Sequence, residues 1–143
     1  MEFQYNDGGR KENGFKGTTK DCVARAITII TGLPYIRVID DLYSYIEKER
    51  VGKRQKRKSD PYKGVYKKTY NKYLKDLGYK WIPCTFIGKG CTVHLRAEEL
   101  PKGRLIARLS RHLTAVIDGV IHDTFNPDRN GTRCVYGYYI KEN

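Results

Sequence analysis

Three side chains with complementary chemistry stand out along the chain: the thiol of Cys22, the imidazole of His112 and the carboxylate of Asp123. Cys22 falls where the polar run Thr18-Thr19-Lys20-Asp21 gives way to Val23, Ala26, Ile27 and Ile30 at helical spacing. Thr18, Thr19 or Asp21 can supply the oxygen that caps a helix start, so the spacing predicts a helix over residues 21–31 with the cysteine in its first turn. Free N–H groups and the positive end of the helix dipole stabilise a thiolate there, which makes the sulfur a nucleophile at neutral pH. The competing reading of Cys22 is a small buried apolar residue, the ordinary fate of a lone thiol.

The other two groups meet in a hairpin. Asp118-Gly119 between two apolar runs is a two-residue turn, which sets Ile117 opposite Val120, Thr114 opposite Asp123 and His112 opposite Phe125. Alternation along a strand then puts His112, Thr114 and Asp123 on one face and His122 on the other. His112 and Asp123 become diagonal neighbours at roughly 7–8 Å, a gap that an imidazole and a carboxylate can span. A histidine that takes the thiol proton, and a carboxylate that fixes its tautomer, are the partners that thiol acyl chemistry needs. By itself the hairpin reads first as a core histidine and a strand-end aspartate; the helix-start cysteine reverses that preference and makes the three a set.

The elements that must position them follow from pattern and punctuation. Residues 1–17 hold four glycines and no clear period, and are expected to form an irregular arm beside the nucleophile. Gly32 ends the first helix, and Pro34 opens a second with Val38, Ile39, Leu42, Tyr45 and Ile46 as its buried stripe. A third helix is expected over residues 64–77, on the face shared by Tyr66, Tyr70, Tyr73, Leu74 and Leu77. From residue 79 the period becomes extended: a strand at 79–83, a helical turn at 97–100, then a meander of strands at 104–109, 111–117, 119–124 and 134–141. The expected fold is therefore α+β in one domain over residues 1–143, a helical half at 18–78 followed by an antiparallel sheet half at 79–143.

Charge and cysteine usage bound the setting. The net charge is +12, and residues 48–80 alone carry thirteen Lys or Arg against three acids. Lys53, Arg54, Lys56, Arg57 and Lys58 form a run without an apolar residue, expected to be a solvated, mobile loop, and Lys67, Lys68 and Lys72 line the polar face of the third helix. Interleaved with Tyr62, Tyr66, Tyr70, Tyr73 and Tyr79, these cations are candidates for a polyanion, either an acidic protein substrate or a nucleic acid. Cys22, Cys84, Cys91 and Cys134 are scattered, and the first 27 residues lack a signal-peptide stretch, so free thiols in a reducing cytoplasm are expected. Cys84, Cys91, His94 and Cys134 are too widely spaced for a typical structural zinc site, and no metal, cofactor or membrane segment is expected.

Taken together, a cysteine at the start of the first long helix, His112 on one strand and Asp123 on the next resemble the papain-like cysteine peptidases, in particular the compact bacteriocin-processing kind. The block Asp123-Thr124-Phe125-Asn126-Pro127 is similar to the strand end that carries the third catalytic residue of those members, with Asn126 in reserve. The resemblance implies a papain-like fold, helices packed on an antiparallel sheet, and a Cys-His-Asp peptidase or isopeptidase acting on a protein or peptide. The family's glutamine six residues before the nucleophile is Lys16 here, so the second oxyanion donor must come from Thr18, Thr19, Asn13 or Lys16. A chain without that donor is a slow enzyme, or a silent protein that binds and inhibits a host factor. The stretches around Cys22, Asp60-Pro61-Tyr62 and Gly131-Thr132-Arg133-Cys134 also resemble small bacteriophage proteins, which implies the cytoplasm of a host cell.

Overall fold

A computed structural model describes residues 1–16 and 20–142. In chain order the elements are β1 (Glu2–Tyr5), α1 (Cys22–Thr31), α2 (Tyr35–Ile46), α3 (Lys67–Asp76), β2 (Tyr79–Pro83), β3 (Thr85–Phe86), β4 (Gly90–Cys91), β5 (Arg104–Leu109), β6 (His112–Ile117), β7 (Val120–Asp123) and β8 (Gly137–Lys141). Short 3-10 turns cover Lys11–Asn13 and Ala97–Glu99. The fold is α+β, with three helices against an open six-stranded sheet of order β1-β7-β6-β5-β8-β2.

The hairpin register is the one the turn dictates: Ile117 pairs with Val120 and Ala115 with His122. Asp118 and Gly119 both have positive φ, 48° and 79°, which suits the right-handed twist of the strands they join. A second two-residue turn, Ser110-Arg111, joins β5 to β6 and sets Leu109 opposite His112.

Two parts of the expected topology are corrected. The last strand does not continue a meander: β8 returns to pair with β5, Leu105 to Ile140 and Arg108 to Gly137. Residues 124–136 carry the chain across the sheet instead of folding back on β7. The vacant edge of β7 is taken by the N-terminal segment, expected to be irregular, which forms β1 and runs parallel to it with Tyr5 opposite Asp123. The sheet is therefore mixed and not wholly antiparallel. β1 is exposed along its whole length, so no buried stripe marks it in the sequence.

The helices cover one face of the sheet. Gly32 terminates α1 at φ 78°, and Pro34 starts α2. The apolar faces of the three helices pack with Ile106, Leu113, Ala115 and Tyr139 into one core, while Leu105, Ala107, Leu109, Val116 and Ile121 point to the other face under Cys84, Leu95, Leu100 and Val135. The Arg104 guanidinium donates to the terminal carbonyls of α1 at Ile29 and Ile30, which fixes that helix along the sheet.

Three further expectations change. α3 starts at Lys67 rather than at residue 64, because residues 60–64 close a tight turn and Tyr66 is extended, its N–H donated to Ser59 Oγ. Tyr66 is consequently exposed, whereas Tyr70, Tyr73 and Leu74 are buried. The basic run is solvated as expected but tethered: Gln55 donates to Glu49 and Lys58 to the Glu47 carbonyl. Glu49 also accepts from Ser59 and Thr69, tying the loop to the first turn of α3. Finally, the cysteines are not all free. Cys91 and Cys134 are disulfide-bonded, brought together where His94 bridges Cys134, and only Cys22 and Cys84 remain thiols. No described helix is long and apolar enough to cross a membrane.

Candidate active site

Cys22 is the first residue of α1, and His112 is the first residue of β6, immediately after the Ser110-Arg111 turn. α1 lies across β6 with its N-terminus at the strand's start. The Cys22 sulfur therefore engages both the His112 side chain and the backbone N–H of Leu113. His112 Nε2 donates to Asp123 Oδ2 at 2.7 Å, and Thr114 Oγ1 donates to the same oxygen at 2.7 Å. With Nε2 committed to the carboxylate, Nδ1 is the ring nitrogen left for the thiol. The Phe125 ring packs against the imidazole with centroids 5.1 Å apart.

The electrostatics favour a thiolate–imidazolium pair. Burial opposes ionisation of Cys22, but the His112 hydrogen bond and charge, the Leu113 N–H and the Arg25 charge outweigh it, and the thiol sits below its ordinary value. Burial likewise disfavours charge on His112, yet the hydrogen bonds to Asp123 and Cys22 push the imidazole up to about 9. Asp123 is also buried, which works against its ionisation; His112, Thr114 and the Thr124 N–H hold its carboxyl below the usual range.

Behind the three residues lies a buried ion network that sequence reasoning did not find. Arg25 is 3% exposed. It reaches Asp21 Oδ1 at 3.0 Å, Asp123 Oδ1 at 3.4 Å and Thr124 Oγ1 at 2.6 Å. Arg10, from the N-terminal loop, lies 2.8 Å from Asp21 Oδ2, to which Tyr35 also donates. Asp21 stands at the helix start as expected, but its carboxylate serves this network and makes no capping bond. The loop passes so close to α1 that a Cβ on Gly8 would lie 3.3 Å from the Arg25 Cα. The N-terminal segment thus lies beside Cys22. The available signal for Arg25 was its place among Val23, Ala24, Ala26 and Ile27: an arginine surrounded by apolar residues on a buried helix requires a carboxylate.

The remaining candidates are placed as follows. Thr18 and Thr19 lie outside the described residues. Lys16 is exposed, and the Asn13 side chain donates to the Gly9 carbonyl. The Asn126 side chain is bonded to the Met1 carbonyl and the Asp128 N–H, and Asp123 holds the position against His112. Lys67, Lys68 and Lys72 are exposed on α3, and Lys53, Arg54, Lys56, Arg57 and Lys58 are exposed in the loop before it. Of the zinc candidates, Cys91 and Cys134 are consumed by their disulfide, and His94 faces Glu99 at 3.2 Å.

Cys22 and His112 open onto a cleft of about 850 Å³ between the start of α1, residues 63–67 and the turn joining β5 to β6. That volume is within the range of ligand sites. Comparison of the chain with protein-family models, with curated proteins and with solved structures yields no match.

Proposed function

We propose that this protein is a thiol hydrolase of papain-like type that cleaves a peptide or isopeptide bond through a thioester. The observation that carries the reading is the Cys22–His112–Asp123 relay at a helix N-terminus, open to a cleft. The Cys22 thiolate, its proton already held on His112 Nδ1, bonds through Sγ to the carbonyl carbon. The C–N bond then breaks, and the proton passes from His112 to the leaving amine. Water, deprotonated by His112, attacks the thioester; the acid is released and the thiol is restored. Asp123 holds the imidazole in the tautomer that presents Nδ1 to sulfur. The Cys22 backbone N–H, among the unpaired donors at the start of α1, is the first oxyanion donor.

The test is the pH dependence of Cys22 alkylation by iodoacetamide, read by mass spectrometry in wild type, His112→Ala and Asp123→Asn. The expected result is reaction well below the ordinary thiol pKa of about 8.5, an advantage lost in His112→Ala and reduced in Asp123→Asn. Reactivity no greater than that of Cys84 would overturn the proposal.

A further inference from the structure

The cleft beside Cys22 is lined by six cationic side chains, Lys20, Arg25, Lys63, Lys67, Arg108 and Arg111, and by no described acid. Arg25 is satisfied by Asp21 and Asp123. The other five form no ion pair among the described residues, although the chain supplies carboxylates for Arg37 and Arg96 elsewhere.

Two of these cations share one aromatic support. Lys67 Nζ and the Arg108 guanidinium each stand 5.8 Å from the centroid of the Trp81 ring, and Arg108 is also 5.6 Å from that of Tyr136. Burial and the Arg108 charge together lower the Lys67 pKa. Like charges gathered in one cleft repel one another, and a bound anion relieves that cost. Rings of Trp81 and Tyr136 hold the Arg108 head in place, so a carboxylate meets a pre-oriented fork. Residues 63–66 also border a second hollow of about 570 Å³, where Arg57, Lys58 and Lys63 stand against one acid, Asp60.

We infer that the cleft selects an acidic polypeptide segment, with Lys67 and Arg108 binding a glutamate or aspartate carboxylate close to the scissile carbonyl and Lys63, Arg57 and Lys58 guiding the chain beyond it. This deepens the thiol-hydrolase reading and rests on it. A polypeptide is favoured over a nucleic acid because the cation pair shares its cleft with a nucleophile that requires a carbonyl.

The test uses peptidyl vinyl sulfones, which trap a thiolate by addition, as pairs that differ only in glutamate against glutamine at each of the three residues next to the reactive group. Labelling of Cys22 in the full chain is followed by mass spectrometry. At one position the glutamate probe is expected to react at least about tenfold faster, the scale of one charge-assisted hydrogen bond. In Lys67→Gln/Arg108→Gln the preference falls to within about twofold, while iodoacetamide alkylates Cys22 at the wild-type rate. Lys67→Gln alone, a change at an exposed helix start, gives an intermediate preference and serves if the double variant unfolds. Equal rates for all pairs, with Cys22 still reactive toward iodoacetamide, overturn the acidic-substrate inference and leave the hydrolase reading standing. A Cys22 inert to both reagents overturns both. A fluorescein-labelled single-stranded oligonucleotide that blocks iodoacetamide at Cys22, and loses that effect in the double variant, would assign the cations to nucleic acid and also overturn the inference.

Discussion

His112 gives its Nε2 to Asp123 Oδ2 at 2.7 Å, so the ring meets Cys22 through Nδ1. With Cys22 lowered and His112 raised, the pair is expected to hold one proton between them, which couples their contributions to stability. His112 has a folded pKa of about 9 against 6.5 when free, so by itself it stabilises the fold fully below pH 6.5 and loses that contribution as pH rises toward 9. Cys22 is lowered, so its contribution slopes the other way, growing as pH rises toward the unfolded thiol pKa. The two slopes oppose each other. Wild-type unfolding free energy is therefore expected to fall less steeply between pH 6.5 and 8.5 than that of Cys22→Ala, which falls with pH by up to about 1.4 kcal/mol per unit. Urea titrations at four pH values check this, and parallel slopes in the two proteins would show that the proton is not shared.

Arg25 is the next point of sensitivity. Its guanidinium is buried between Asp21 and Asp123, so Arg25→Met leaves two carboxylates without their shared cation. Removing one partner of such a buried network costs about 3–5 kcal/mol. Arg25→Lys is expected to recover less than half of the loss, because a single ammonium nitrogen cannot stand both where Nε meets Asp21 and where Nη1 meets Asp123 and Thr124. Urea unfolding measures both variants, and a lysine variant as stable as wild type would mean that charge alone suffices.

The parts of this arrangement differ in how plainly they show in the sequence. The hairpin was legible because Asp118-Gly119 admits one turn and period-two alternation then assigns every side chain a face. α1 was legible from its apolar spacing and its terminal Gly32. β1 was not, because an exposed four-residue edge strand has no buried stripe, and its pairing with β7 is set by contacts more than a hundred residues away. For the same reason the return of β8 to β5 was missed: local pattern shows that a strand exists but not which edge it joins. The Cys91–Cys134 bridge depends on that return, since the chain between β7 and β8 is what carries Cys134 back to β4.

That bridge is expected to contribute to stability without touching the chemistry. It joins residues 43 apart, and the chain-entropy argument gives about 4 kcal/mol for a loop of that length. Cys134→Ser, or wild type under a phosphine reductant, should therefore show a lower thermal midpoint than the oxidised protein. Iodoacetamide reactivity of Cys22 at a temperature where both forms are folded should be unchanged. A loss of Cys22 reactivity on reduction would show that the bridge instead holds the relay in register.

The last prediction concerns a residue with no side chain. Gly137 pairs with Arg108 on one side and Pro83 on the other, and the Trp81 ring packs against it. A Cβ there would stand 2.3 Å from two ring carbons and 2.7 Å from the Ile82 carbonyl, and the backbone oxygen cannot move aside. Gly137→Ala must therefore displace the indole, at a cost of about 1–3 kcal/mol for an overpacked contact. Trp81 is the protein's one tryptophan, so its fluorescence reports the displacement without interference. Because Lys67 and Arg108 both rest on that ring, the glutamate preference at Cys22 should fall along with the emission change. The iodoacetamide rate, which depends on His112, should hold. An alanine variant with wild-type emission and wild-type glutamate preference would mean that Trp81 does not organise the two cations.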